Sequence, residues 1–156
     1  MSLESDIDLL ARVPLFSDLG GDHLRLLAFS SLRHDFAGGA VLFKRGDAAR
    51  SGFALASGAV ELAIGEGAAR RVIETCGAGC LIGELPLFVD STRRATATAV
   101  QPVSAFEITR QVMTRMLGEY PDLAALLHRR LEGRLRGTIA DLRRVRASLL
   151  AIGSRA

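Results

Sequence analysis

Three textures of hydrophobic and polar residues divide the chain. Over the first thirty residues, Ile7, Leu9, Leu10 and Val13 precede Pro14, and Leu19, Leu24, Leu26, Leu27 and Phe29 recur after it. This spacing predicts helical pieces on either side of a proline break, the second capped by Asp18 or Asp22. From Leu32 the pattern changes to short runs of Val, Ile, Phe, Thr and Ala. Ala37-Gly38-Gly39, Arg45-Gly46-Asp47, Ser57-Gly58, Gly65-Glu66-Gly67 and Gly77-Ala78-Gly79 divide them. Turns at such intervals predict an antiparallel sandwich or barrel of about 75 residues, ending near Ile108. Val112, Met113, Met116 and Leu117 then predict a short amphipathic helix, and beyond Pro121 one long helical pattern reaches about Ile152.

The long pattern is the most regular in the chain. Leu135, Leu142 and Leu149 lie seven apart, and Leu131, Thr138, Val145 and Ile152 form a second series of the same period. Such a seam predicts self-association of a helix too long for a small barrel to cover, although the stripe would equally serve packing on its own barrel. Gly133 and Gly137 weaken the helix by about 1 kcal/mol each relative to Ala. The expected architecture is mainly β with flanking helices. Residues 1–130 make an antiparallel β-barrel with N-terminal helices, and residues 131–156 a long C-terminal helix.

The 156 residues, 49% of them hydrophobic, suffice for one domain with a sizeable core. No apolar run approaches the ~18 residues that span a bilayer, and the acidic N-terminus lacks the features of a signal peptide, so a cytoplasmic protein is expected. Two cysteines, Cys76 and Cys80, and three scattered histidines make neither a disulfide scaffold nor a metal site. The one lysine, Lys44, is followed by Arg45, which excludes a Walker-type phosphate loop. No Ser-His-Asp order, HExxH helix or supported carboxylate pair points to an enzyme. The net charge of +3 hides an asymmetry. Residues 121–156 hold eight arginines against Asp122, Glu132 and Asp141, whereas residues 1–120 are slightly acidic. A basic helix can bind nucleic acid or an anionic surface, but such arginines more often form its solvated side.

Residues 79–99, GCLIGELPLFVDSTRRATATA, have a specific mechanical content. A strand ending at Ile82 runs into Gly83, whose missing Cβ lets a ligand approach the backbone. Glu84 to Phe88 then begin a one-turn helix whose free N–H groups attract an anion. Glu84 itself suits a ribose hydroxyl rather than a phosphate. Ten residues after Gly83, Arg93 can return to neutralise a phosphate with a forked contact.

At these residues the chain resembles the cyclic nucleotide-binding domain family of catabolite activators, cyclic-AMP-dependent kinase regulatory subunits and cyclic-nucleotide-gated channels. Val13-Pro14-Leu15-Phe16 with Leu19 is similar to the family's N-terminal helix, and Phe36 through Asp47, Leu55 through Gly58 and Gly77 through Glu84 to its glycine-punctuated strands. Arg93 through Ala99 is similar to the strand after its phosphate cassette, and Pro121-Asp122 to its hinge. The resemblance implies a jelly roll that binds a cyclic nucleotide, cAMP more readily than cGMP, without cofactor or metal. Gly83 and Leu85 would offer backbone contacts, Glu84 would hold the ribose 2'-hydroxyl and Arg93 the cyclic phosphate. Thr138, where relatives carry a polar residue contacting the adenine, would read the base, or is simply a small residue tolerated in the seam.

The departures from the family pattern leave alternatives open. Arg94 stands where a small residue usually follows the phosphate arginine. A loop one residue longer would make Arg94 the ligand and Ala95 the small residue, whereas Ala95-Thr96-x-x-Ala99 favours Arg93. Pro86 lacks an N–H that some relatives use for the phosphate, a loss of about 1.5–3 kcal/mol for a bond to a charged group. Cys80 replaces a common acidic residue and is expected, like Cys76, to be a buried thiol. The expected protein is thus a homodimeric sensor joined through residues 131–152 and acting on a downstream protein, with no residues left for a helix-turn-helix and so no direct sequence-specific DNA binding. The competing reading is a fold that has lost its ligand and serves dimerisation or protein docking. A binder of nucleic acid or anionic membrane through Arg129, Arg130, Arg134, Arg136, Arg143, Arg144 and Arg146 ranks third. Leu142→Asp tests the seam: the dimer is expected to fall to monomer in sedimentation velocity, and an unchanged profile contradicts the seam.

Overall fold

The structure, a computed structural model, describes residues 3–132, 143–144 and 146–148. Helix α1, Leu3–Arg12, ends before Pro14, which opens a single 3-10 turn over Pro14–Phe16. Helix α2 covers Gly21–Ser30. Its N-cap is Gly20, with no side-chain cap, so neither Asp18 nor Asp22 fills the expected role; Asp22 lies inside the first turn, where a carboxylate favours the helix dipole. Leu24, Leu27 and Ala28 form the buried stripe, and Phe29, one position off that face, is 81% exposed.

Ten strands follow: β1 (Leu32–Phe36), β2 (Val41–Phe43), β3 (Ala48–Ala49), β4 (Ser51–Ser57), β5 (Val60–Ile64), β6 (Arg71–Cys76), β7 (Leu81–Ile82), β8 (Ser91–Thr92), β9 (Thr96–Ala99) and β10 (Val103–Thr109). They pair antiparallel into sheets ordered β1-β10-β4-β7 and β2-β9-β5-β6, with β3 and β8 as a separate two-stranded ribbon. The jelly roll with N-terminal and C-terminal helices is the expected fold. The turns fall at the glycines. Gly58 is the most constrained, with φ +86° and a site where a Cβ would lie 2.3 Å from the Pro102 carbonyl oxygen.

Period-two alternation sorts the strand residues into two cores. Phe53, Leu55, Val103 and Ala105 point between the sheets, where they meet Val60, Ile82, Ala97 and Ala99. Ala54, Phe106 and Ile108 point the other way, onto Leu10, Phe16, Leu27 and the C-terminal helices. Helix α3, Arg110–Glu119, starts where Thr109 accepts a hydrogen bond from the Val112 N–H at 3.2 Å and buries Met113, Met116 and Leu117. Helix α4, Pro121–Glu132, adds Leu123, Ala124 and Leu127 to the same core. Tyr120 caps the end of α3, half exposed, with the His23 ring edge-on at 4.5 Å. The heptad positions Leu135, Leu142, Val145, Leu149 and Ile152, and Thr138, lie outside the described residues, as does the Leu131 side chain.

The fully buried Leu55 touches the barrel core from β4. Leu55→Ala is expected to cost about 2–5 kcal/mol, read as a lowered midpoint in urea denaturation; a loss below about 1 kcal/mol would mean that the barrel interior collapses around the deletion.

Candidate functional site

The turn between β7 and β8 builds one wall of the site. Gly83 has φ +87°, a left-handed conformation open to glycine, and a Cβ there would lie 2.8 Å from Arg93 Nη1 and 3.2 Å from the Ser51 carbonyl oxygen. Opposite it, a Cβ on Gly52 would lie 2.7 Å from the Gly83 carbonyl oxygen, so the backbones of β4 and the turn touch through two bare α-carbons. Leu85–Leu87 form a 3-10 turn, closed by Leu87 N–H to the Glu84 carbonyl at 3.1 Å and Phe88 N–H to the Leu85 carbonyl at 3.0 Å. Pro86, second in the turn, contributes no N–H. Glu84 occupies the N-cap position but its side chain makes no capping bond.

Arg93 leaves β8 on the buried side. Its N–H donates to the Asp47 carbonyl at 2.8 Å and its carbonyl accepts from the Gly46 N–H at 2.8 Å, which lock the residue beside the Arg45-Gly46-Asp47 turn. The side chain is 8% exposed, whereas Arg94 is exposed. The Arg93 guanidinium carbon lies 4.2 Å from the Phe43 ring centroid and 5.8 Å from that of Phe53. Nη2 donates to Ser51 Oγ at 3.3 Å, and Nη1 has no hydrogen-bond partner among the described residues. Burial pulls the Arg93 pKa down, while the nearby charges of Glu107 and Asp47 oppose the shift. A desolvated cation with one donor nitrogen unused has the chemistry to pair with an anion.

Gly83, Glu84, Leu85, Arg93, Arg94 and Ala95 all border a single cavity of about 800 Å³ that opens to solvent. This size lies within the ordinary range for small-molecule sites. Six of the seven residues singled out from the sequence therefore surround one space, and Thr138 lies outside the described residues. Cys80 differs from expectation: it is half-buried and borders the cavity. Cys76 is buried as expected. A side-chain hydrogen bond with Cys80, and then burial, hold its thiol far above the ordinary range and so protonated. Phe43, Phe53, Ser51 and Glu107 escaped the sequence reading. For Glu107 a signal existed, since it continues the inward parity of Val103 and Ala105 with a charged group.

Beyond the turn, the cassette touches the C-terminal helices. Asp90 accepts an ion pair from Arg110 of α3 at 2.5 Å. Its carbonyl accepts from the Arg144 guanidinium, and the Phe88 carbonyl accepts from Ser148 Oγ at 2.8 Å.

Comparison with known proteins identifies the family and the fold. The family model for the cyclic nucleotide-binding domain matches residues 33–120. The chain is 31% identical over 140 residues to a relative in Rhodopseudomonas palustris, covering 86% of this chain. It is 31% identical over 123 residues to the cyclic AMP receptor protein of Thermus thermophilus, covering 76% of this chain and 57% of that one. The chain spans between 33% and 57% of the length of the three curated relatives it matches. Among solved structures, the N-terminal domain of a transcriptional regulator from Streptomyces coelicolor superposes with a TM-score of 0.76 at 31% identity, over 83% of this chain and 91% of that one. The sensor domain of the regulator DNR from Pseudomonas aeruginosa gives 0.73 at 27% identity, over 85% and 90%. The regulatory domain of Toxoplasma gondii PKA, crystallised with cAMP, shares the fold at 19% identity and a TM-score of 0.68, over 94% and 57%. The chain belongs to the cyclic nucleotide-binding domain family.

A side chain at position 83 would collide with Arg93 and strain the backbone. Gly83→Ala is expected to cost at least about 1–2 kcal/mol, the penalty of a left-handed conformation, measured by urea denaturation; an unchanged midpoint would show that the turn relaxes freely.

Proposed function

From that membership, we propose that this sensor domain binds a cyclic nucleotide, cAMP more readily than cGMP, in the cavity over Gly83, and carries out no reaction. The observation that carries the reading is the buried Arg93 guanidinium bordering that cavity with Nη1 unpartnered. In this reading the exocyclic phosphate oxygens take Nη1 of Arg93 and the leading backbone N–H groups of the 3-10 turn, the combination of fixed dipoles and charge that binds phosphate elsewhere. Glu84 accepts the ribose 2'-hydroxyl, Gly83 and Leu85 offer backbone contacts, and Ala95 leaves room beside the phosphate. Thr138 reads the purine. Arg94, exposed in the bend between β8 and β9, contributes field rather than a contact to the ligand. The Thermus relative's description as a cyclic AMP receptor supports cAMP as the first ligand to test.

Occupancy is transmitted through the cassette. Phe88 and Asp90 present their carbonyls to Ser148 and Arg144, and Asp90 holds Arg110, so a shift of the turn pulls on two helical segments at once. The output is a homodimer through residues 131–152 in the cytoplasm, acting on a downstream protein. A ligand that contacts the turn differently in its two positions shifts the equilibrium between them.

Isothermal titration of nucleotide-free protein with cAMP, cGMP and linear 5'-AMP tests the reading. Cyclic AMP is expected to bind at micromolar concentration or tighter and the linear nucleotide far more weakly. Arg93→Ala is expected to weaken cAMP by about 2 kcal/mol or more, roughly thirtyfold, and Arg94→Ala by less. A larger loss with Arg94→Ala would make Arg94 the phosphate ligand. No heat with either cyclic nucleotide at millimolar concentration would favour a docking module instead.

A further inference from the structure

The polar end of the barrel interior holds a connected set of side chains that the cavity itself does not explain. Ser51 on β4 is 5% exposed, and its hydroxyl donates to Glu107 Oε2 at 2.7 Å while accepting from Arg93 Nη2 at 3.3 Å. A serine hydroxyl has one hydrogen. Once that hydrogen goes to Glu107, the lone pairs of Oγ are turned toward the guanidinium, and the serine acts as a fixed acceptor. Glu107 Oε1 is in turn 3.0 Å from Nε2 of His34 on the edge strand β1, which donates in the tautomer carrying its proton there. The chain of contacts therefore crosses three strands, β1, β10 and β4, and ends on Arg93.

Ser51 and Arg93 are buried where packing alone would favour an apolar side chain, and Glu107 is half-buried beside them. Glu107 continues the face of Val103 and Ala105, and Ser51 the face of Phe53 and Leu55. A carboxylate on that face costs desolvation that only a cation or hydrogen bonds can offset. Asp47 acts on a different part of the arginine. Its Oδ2 accepts the Lys44 N–H at 3.0 Å and its carbonyl accepts the Arg93 N–H, so it fixes the backbone of Arg93, not the fork.

We propose that Ser51 and Glu107 are positioning residues for phosphate recognition: Glu107 orients the Ser51 hydroxyl, and Ser51 holds Nη2 of Arg93 so that Nη1 remains presented beneath Gly83. The proposal rests on the cyclic-nucleotide reading of this cavity and adds to it the residues that aim the arginine. Holding one nitrogen of a planar fork fixes the direction of the other, because the guanidinium rotates as a rigid body. Neither positioning residue touches the ligand.

The test compares wild type, Ser51→Ala, Glu107→Gln, Arg93→Ala and the double variant Arg93→Ala/Glu107→Gln, each confirmed folded by far-UV circular dichroism. Titration calorimetry with cAMP and with adenosine, which lacks the phosphate, reads the ligand side. Ser51→Ala and Glu107→Gln are each expected to weaken cAMP about tenfold and to leave adenosine unchanged. Equal losses for both ligands, or no loss for cAMP, would overturn the proposal. Urea midpoints of the ligand-free proteins read the coupling by itself. Glu107→Gln removes the stronger of the two carboxylate charges acting on the buried guanidinium, so the double variant is expected to unfold at a midpoint no lower than that of Glu107→Gln alone. Strictly additive midpoints would overturn the positioning role even in a protein that binds cAMP. Absence of cAMP binding in wild type with non-additive midpoints would instead overturn the cyclic-nucleotide reading and leave the Arg93 network standing. If Glu107→Gln does not fold, Ser51→Ala decides by the same two ligands.

Discussion

A guanidinium held inside a small β-barrel constrains everything around it. Taking a full charge out of water is among the most unfavourable steps in folding, and it is tolerated where the surroundings return most of the lost solvation. Here the return comes from several strands: the ring face of Phe43 on β2, the Ser51 hydroxyl on β4 and the Glu107 carboxylate on β10. Both main sheets thus contribute to one side chain. The Arg93 backbone is tied to the turn before β3, so the small β3-β8 ribbon serves to deliver that residue to the barrel. The solvation is incomplete by one nitrogen, Nη1, which lies buried beneath Gly83.

Room beside the arginine comes from what the barrel omits. Ala97, Ala99 and Ala105 line its interior with methyl groups, which lets Phe36, Phe43 and Phe53 pack as an aromatic cluster beneath the arginine. Gly52 and Gly83 let two backbones touch, bringing the 3-10 turn down onto β4. The two ends of the same barrel then divide the work, the apolar one holding the sheets together and the polar one holding charge. Family membership and the geometry meet at this point, since the matched residues 33–120 contain every strand residue of the charged end.

Much of this was legible from the residues alone. Glycines marked the turns because few other residues accept their backbone conformations, and the spacing of Val112, Met113, Met116 and Leu117 marked the return to helix. Gly83-Glu84-Leu85 and Arg93 declared the cassette by order and spacing. What stayed hidden depended on parity and distance. The Ala95-Thr96-x-x-Ala99 match favours Arg93 over Arg94 but does not say which of them is buried; that follows from β8 pairing with β3, two residues a side, too short to read in advance. Ser51 and Glu107 are 56 residues apart, and although the charge of Glu107 on an inward-facing position was a signal, nothing near it in sequence names Ser51 as its partner. Phe29 shows the opposite failure, an apolar residue counted into a helical stripe although its angle places it in solvent.

The chain has no tryptophan and one tyrosine, Tyr120, which sits at the joint between α3 and α4 against His23. Its intrinsic ultraviolet emission is therefore dominated by a single fluorophore remote from the cavity, while Phe43 and Phe53 beside the arginine emit only weakly. Light from this protein reports on the helical joint and not on the pocket. A change in that signal when a small molecule is added measures how far the disturbance has travelled, which makes the unmodified chain its own optical gauge of transmission.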